Sequence, residues 1–71
     1  MDEKVFLLKV GNRIKQLRTD KGLSQQELAA LLDYEKSNLS RLESGKTNPK
    51  IATLMRVAEA LGVTLMDLLN F

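Results

Sequence analysis

The residues best suited to chemistry lie between positions 34 and 45, which read "YEKSNLSRLESG". This segment has only two aliphatic side chains, Leu39 and Leu42, and on a helix of about 100° per residue they define the side that faces a core. The side chains that then point outward are three serines and one arginine: Ser37, Ser40, Arg41 and Ser44. Small hydroxyl groups around one guanidinium allow a close approach to phosphates and to base edges. The pattern therefore favours a short helix that presents a nucleic-acid-binding face.

One carboxylate of this segment, Glu43, falls close to the core edge of the predicted helix. A carboxylate beside a core is unusual unless it is paired. We expect Glu43 to be buried against an arginine of the first helix, with Arg18 as the best candidate, and the alternative is a solvated Glu43. Pairing would brace the third helix and would mask the negative charge nearest to the proposed binding face.

The positive charge is concentrated in the same part of the chain. Residues 1–35 carry six basic and six acidic side chains, residues 36–50 carry a net +3, and residues 51–71 carry a net −1. A concentrated basic patch is what a polyanionic partner requires. On charge alone, an ordinary solvated surface with unevenly placed lysines remains the alternative.

The composition excludes several kinds of protein. With no cysteine and no histidine, the chain has neither disulfides nor a zinc cluster. There is no glycine-rich phosphate loop and no pair of carboxylates expected to share a cleft, so we expect no enzyme and no cofactor. The early apolar run at residues 5–8 is too short for a signal peptide or a membrane span, and a cytoplasmic protein is expected.

Helical spacing of apolar residues extends through the chain, and no segment has the pattern of a strand. The first helix carries a stripe of four apolar residues and ends near Gly22: Leu7, Val10, Ile14 and Leu17. A capping box from Ser24 to Glu27 predicts that a second, short helix begins there and ends around Asp33. Its apolar residues are Leu28, Leu31 and Leu32.

Three more helices follow. The third is predicted from Glu35 or Lys36 to Ser44, closed by Gly45, and the turn at Asn48-Pro49 precedes the fourth, which ends at Gly62. "TLMD" repeats the capping-box pattern and opens a last helix over 64–70. The predicted fold is all-α, a compact five-helix bundle in a single domain over 1–71, which is small enough to be marginally stable.

Residues 25–44 resemble the helix-turn-helix of Cro and the phage repressors, the XRE-like regulators. The apolar positions that carry the resemblance are Leu28, Ala29, Leu32, Leu39 and Leu42. The flanks "LRTDKGLSQQELA" and "LSRLESGKTNP" are also similar, as is "LMRVAEALGVTLMDLL" to the family's fourth and fifth helices. Asp33 stands where the family commonly has glycine, and aspartate tolerates the left-handed conformation. Tyr34 replaces a smaller apolar residue, and we expect its ring to pack at the core edge.

The resemblance implies a phage-repressor-type fold in which helices 2 and 3 form the motif at about 25–44. It also implies sequence-specific binding of double-stranded DNA by a transcriptional regulator, with a recognition helix at about 36–43 in the major groove. The residues that match base-reading positions are Lys36, Ser37, Arg41 and, with a weaker match, Ser40. Expected phosphate contacts are Gln25, Ser24, Asn38, Lys46, Thr47 and Asn48. Arg18 and Glu43 match the family's internal ion pair.

The C-terminal "LMDLLNF" carries more apolar surface than a domain of this size is expected to cover. We expect a homodimer on a palindromic operator, with Leu65, Met66, Leu69 and Phe71 at its interface. The alternative is a protein-interaction role on the same fold, such as an antitoxin that neutralises a partner. Because the predicted helices occupy the whole chain, we expect no small-molecule ligand and no membrane association.

Overall fold

The computed structural model describes residues 1–71 and contains five α-helices and no strand. The helices are α1 (Glu3–Asp20), α2 (Gln25–Leu32), α3 (Lys36–Glu43), α4 (Ile51–Leu61) and α5 (Leu65–Leu68). The prediction of an all-α bundle of five helices, with the motif formed by α2 and α3, is confirmed.

The start of α2 is fixed by the capping box that the sequence predicts. The Glu27 N–H donates to Ser24 Oγ at 3.0 Å, and the Ser24 N–H donates to Glu27 Oε1 at 2.9 Å. The bond from the Ser24 N–H, followed by the Ser24 side chain, favours the ionised carboxylate and holds the pKa of Glu27 below its usual value. The two bonds satisfy the N–H of Glu27, in the first turn of the helix, and the N–H of the cap residue Ser24.

The turn between α2 and α3 is made at Asp33, which has φ 56° and ψ 43°. This is the left-handed conformation expected at the turn, and aspartate is among the few residues other than glycine that adopt it readily. The Tyr34 N–H donates back to the Ala29 carbonyl at 2.8 Å and closes the turn. The turn sets the direction in which α3 leaves α2.

The core contains twelve buried apolar residues drawn from all five helices: Val10, Ile14, Leu28, Ala29, Leu32, Leu39, Leu42, Leu54, Val57, Ala58, Leu61 and Leu68. Leu39 and Leu42 are 0% and 3% exposed, so the predicted inward side of α3 is the observed one. Leu31 is 61% exposed and is not part of this core.

Backbone contact is close where α1 crosses the end of α3. A Cβ added at Gly11 would lie 2.4 Å from the Glu43 carbonyl oxygen and 2.5 Å from that of Leu42. Only glycine fits at this crossing, because the neighbouring atoms belong to the backbone and cannot rotate away. The crossing therefore fixes the carboxyl end of α3 on α1.

The last helix is shorter than the predicted 64–70. Thr64 is its N-cap, in a reciprocal pair with Asp67, but the helix ends at Leu68, and Leu69 is the C-cap. The Asn70 N–H donates to the Asp67 carbonyl at 3.3 Å, in a three-residue turn. Asparagine competes with the helical backbone for hydrogen bonds, and a single turn gains little from propagation, so the chain leaves the helix early.

Candidate nucleic-acid interface

The outward side of α3 has the composition that the sequence predicts. Lys36, Ser37 and Arg41 are exposed and Ser40 is half-buried. Ser44, the C-cap of the helix, is exposed as well. The only carboxylate within α3 is buried on the opposite side, so the exposed part of the helix presents hydroxyls, an amide, an ammonium and a guanidinium.

That carboxylate belongs to Glu43, and the structure pairs it with Arg18. Arg18 Nε lies 2.7 Å from Glu43 Oε2, and Arg18 Nη2 donates to Oε1 at 3.1 Å. The third guanidinium nitrogen, Nη1, donates to the Leu23 carbonyl at 2.8 Å. Both residues are 7% exposed. A two-point arginine–carboxylate contact fixes the relative orientation of α1 and α3 as well as neutralising the charge.

Gln25, the first residue of α2, adds a further hydrogen bond to this pair. Its Nε2 donates to Glu43 Oε1 at 2.9 Å, and the side chain is half-buried. The amide predicted to meet a phosphate thus also ties the start of α2 to the end of α3. The phosphate contact of Gln25 stays a prediction. Ser24, the residue before it, has its hydroxyl oxygen at the helix cap.

Two of the other residues predicted to contact phosphates make side-chain hydrogen bonds within the protein. The Asn38 Oδ1 accepts from the Arg41 guanidinium one turn along α3. Asn48 Nδ2 donates to Glu3 Oε1 at 3.3 Å, which connects the loop after α3 to the start of α1. Lys46 is exposed, and Thr47 is half-buried. Asn38, Arg41, Thr47 and Asn48 line one groove, so α3 and its following loop form a continuous surface.

Arg56 on α4 was not anticipated by the sequence reasoning. Its guanidinium donates to the Leu32 carbonyl at the end of α2 and lies 5.9 Å from the centre of the Tyr34 ring. Tyr34 is half-buried and packs against the core, as its position in the sequence suggested. Arg56 thus satisfies a carbonyl that the helix end leaves free and supports the turn before α3. A lone arginine in an amphipathic helix gives no sequence signal of such a contact.

The four residues expected at a dimer interface differ in how far they are exposed. Leu65 and Leu69 are half-buried against the core, whereas Met66 is 83% exposed. Phe71 is 46% exposed, and its ring lies 5.7 Å from that of Phe6, at an interplanar angle of 59°. Met66 and Phe71 therefore supply most of the outward apolar surface of this set.

No group of three or more acidic side chains is placed so that it could hold a metal ion. No helix combines the length and the apolar character needed to cross a bilayer.

Known proteins with similar sequences or structures include several described as helix-turn-helix regulators. A family model described as helix-turn-helix matches residues 14–68. The control protein C.MunI from a Mycoplasma species is 36% identical over 64 residues, or 89% of this chain and 86% of that protein. The restriction-modification controller C.AhdI from Aeromonas hydrophila has a TM-score of 0.84 at 37% identity, covering 87% of this chain and 94% of that one. SinR, the master regulator for biofilm formation, in complex with DNA, has a TM-score of 0.77 at 44% identity, covering 86% and 98%.

Proposed function

Because this chain belongs to the helix-turn-helix family and is a DNA-binding transcriptional regulator, we propose that it reads a palindromic operator as a homodimer, with α3 in the major groove. The observation that carries the proposal is that the outward side of α3 has no carboxylate. The only acidic residue of this helix, Glu43, is buried against Arg18. Repulsion from the phosphates is thereby reduced along α3 itself, although its N-cap residue Glu35 is an exposed carboxylate.

Base recognition is assigned to the exposed side chains of α3. Arg41 is suited to a bidentate contact with the O6 and N7 of guanine, and its pairing with Asn38 orients the guanidinium along the helix. Lys36 and Ser37 lie at the amino end of α3, which enters the groove first in this motif. Ser40 is half-buried and is assigned a secondary contact.

Backbone recognition is assigned to the two segments that flank α3. Gln25 and Ser24 lie at the start of α2, where the helix dipole favours an anion. In the loop after α3 the phosphate contacts are Lys46, Thr47 and Asn48, and Asn38 supplies one from within α3 itself. These contacts position the helix on the duplex and carry no base information themselves.

The homodimer is proposed because one short recognition helix reads too few base pairs for useful specificity. Two-fold symmetry would place two copies of α3 one DNA turn apart, about 34 Å. The surface proposed for the contact consists of the exposed Met66, which lines a groove with the half-buried Leu65 and Leu69, and of the exposed Phe71. Because the proposed partner is DNA, we expect the protein to act in the cytoplasm.

Selection of binding sites from random duplexes tests the proposal directly. We expect a palindrome whose half-sites are centred one helical turn apart. The Arg41→Ala variant, selected in parallel, should lose the preference for one base in each half-site and bind the wild-type operator about 1–3 kcal/mol more weakly. A wild-type selection without any enriched sequence, or identical selections for the two proteins, would contradict the assignment of α3.

A further inference from the structure

The exposed side of α1 is more basic than the charge balance of the whole amino-terminal half indicates. Between residues 4 and 19 the chain has five basic residues and no acidic one, and the balance over residues 1–35 is restored only by carboxylates outside this stretch. Two of the five are engaged: Arg18 pairs with Glu43, and Arg13 Nε donates to the Asp67 carbonyl at 3.0 Å. Lys4, Lys9 and Lys15 make no ion pair.

Lys15 is the lysine that lies beside the proposed DNA-binding surface. It lines a groove between α1, the start of α2 and the end of α3, together with Asn12, Gln25 and Ser44. The carboxylate in this groove is that of Glu43, which is neutralised by Arg18 and accepts a hydrogen bond from Gln25. Lys15 therefore faces a surface without an uncompensated negative charge.

Asn12 and Lys15 also line a second groove, which lies between α1 and the carboxyl-terminal residues Asn70 and Phe71. That groove contains Lys9 and Arg13 and no carboxylate side chain. Both Asn12 and Lys15 are exposed, and neither side chain makes a hydrogen bond within the protein. An ammonium and an amide that are both free, placed one turn apart on one helix, suit contact with an extended chain of phosphates.

We infer that Asn12 and Lys15 contact the phosphate backbone of the operator, extending the footprint of the protein from α3 onto α1. This inference rests on the proposed function, because it requires α3 to lie in the major groove. Gln25, at the start of α2, lines the same groove as Lys15 and Asn12, so a strand whose phosphate meets Gln25 is within reach of both. The partner on α1 is thus the DNA that α3 reads.

The salt dependence of operator binding tests this inference. The salt slope is the steepness with which log K falls as log salt concentration rises, and each phosphate neutralised contributes about 0.9 to it. Lys15→Gln should lower the slope by about that amount and leave the selected sequence unchanged. Lys21→Gln is the matched control, since it removes the same charge from the end of the same helix. Lys21 Nζ lies beside Gly62, at the end of α4.

Lys46→Gln separates the inference from the proposed function. If Lys46→Gln lowers the slope but Lys15→Gln does not, the contact from α1 is wrong and the proposed function stands. Equal losses for Lys15→Gln and Lys21→Gln would also overturn the inference, because they would indicate a net-charge effect. Failure of the wild-type chain to select any sequence would overturn the proposed function and the inference together.

Operator duplexes with one methylphosphonate supply a second readout. Neutralising the phosphate opposite Lys15 should weaken wild-type binding and leave Lys15→Gln binding unchanged. A wild-type protein that tolerates neutralisation of every phosphate beyond those beside Gln25 would overturn the inference. A thermal unfolding curve for each variant shows that the exposed substitutions leave the fold intact.

Discussion

At the scale of single residues, the proposed interface depends on a carboxylate that is buried away from the exposed side of α3. Glu43 accepts hydrogen bonds from Arg18 and Gln25, so it joins α1, α2 and α3 at one point. The sequence alone indicated the pair, since Glu43 falls at a core edge where an unpaired charge is costly. The link from Gln25 was not predicted, because the resemblance suggested only a phosphate partner for that side chain.

Removal of Glu43 tests the cost of leaving Arg18 buried without its partner. Glu43→Ala should lower the free energy of unfolding by about 3–5 kcal/mol, as expected when one member of a buried pair is deleted. Urea denaturation followed by circular dichroism measures the change. The double variant Arg18→Met, Glu43→Leu is the control and should recover most of the loss. A single-variant loss of under about 1 kcal/mol is expected only of a solvent-exposed pair.

At the scale of elements, the helix caps at Ser24, Asp33 and Thr64 are the features that the sequence predicted best. The capping box at Ser24, the left-handed Asp33 and the box at Thr64 all rest on local hydrogen bonds between residues a few positions apart. Local bonds of this kind are visible in a sequence. The contacts of Arg56 and the proposed role of Lys15 could not be found in the same way, because they depend on which helices pack together. The carboxyl end of the last helix was also misplaced, because a single turn gains little from propagation and ends before Asn70.

The capping boxes predict how stability changes with pH. Hydrogen bonds from Ser24 and Thr64 hold the pKa values of Glu27 and Asp67 below their usual values. A carboxyl with a lowered pKa in the folded state stabilises the fold above its unfolded pKa, and this stabilisation is lost as the pH falls through the folded pKa.

We therefore expect Glu27→Gln, which keeps an acceptor at this position but does not titrate, to lose less stability than wild type between pH 7 and pH 3. Thermal unfolding across that range measures the difference. Glu59→Gln, at an exposed carboxylate whose side chain makes no hydrogen bond, is the control. Parallel pH curves for Glu27→Gln and wild type would show that the box has no ionic component.

The crossing of α1 and α3 gives a second prediction at this scale. Alanine is favoured over glycine inside a helix by about 1 kcal/mol. At Gly11 the added methyl group would meet two backbone carbonyl oxygens, at 2.4 and 2.5 Å, and this steric conflict should outweigh the gain. We expect Gly11→Ala to destabilise the fold by about 1–3 kcal/mol and to weaken operator binding by displacing α3. Urea denaturation and operator titration check both effects.

Lys9→Ala, at an exposed position of α1, is the control for stability. A Gly11→Ala variant more stable than wild type would contradict the close crossing.

At the scale of the whole molecule, the proposed base-reading residues lie on α3 and the proposed dimer contact lies at the carboxyl end, where Phe71 also lines a groove with Asn12 and Lys15. The proposed recognition helix, α3, packs on α1, and α1 contacts the carboxyl end at two points: Arg13 with the Asp67 carbonyl, and Phe6 with Phe71. The helix that carries Asp67 is a single turn, so these contacts add support that the turn itself does not provide. The surface around Met66 is therefore held in a defined position relative to α3, as a dimer that spans two half-sites requires.

Substitution of Met66 tests that surface. In a two-fold dimer Met66→Glu introduces two carboxylates into an apolar contact, and we expect the dissociation constant of the dimer to rise at least about tenfold, equivalent to about 1.4 kcal/mol. Sedimentation equilibrium at micromolar concentration should give a dimer for the wild type and a shift towards monomer for the variant. Leu31→Glu, at an exposed leucine of α2, should remain dimeric. A wild-type chain that stays monomeric even on its operator would contradict the homodimer and would favour a different protein partner for this surface.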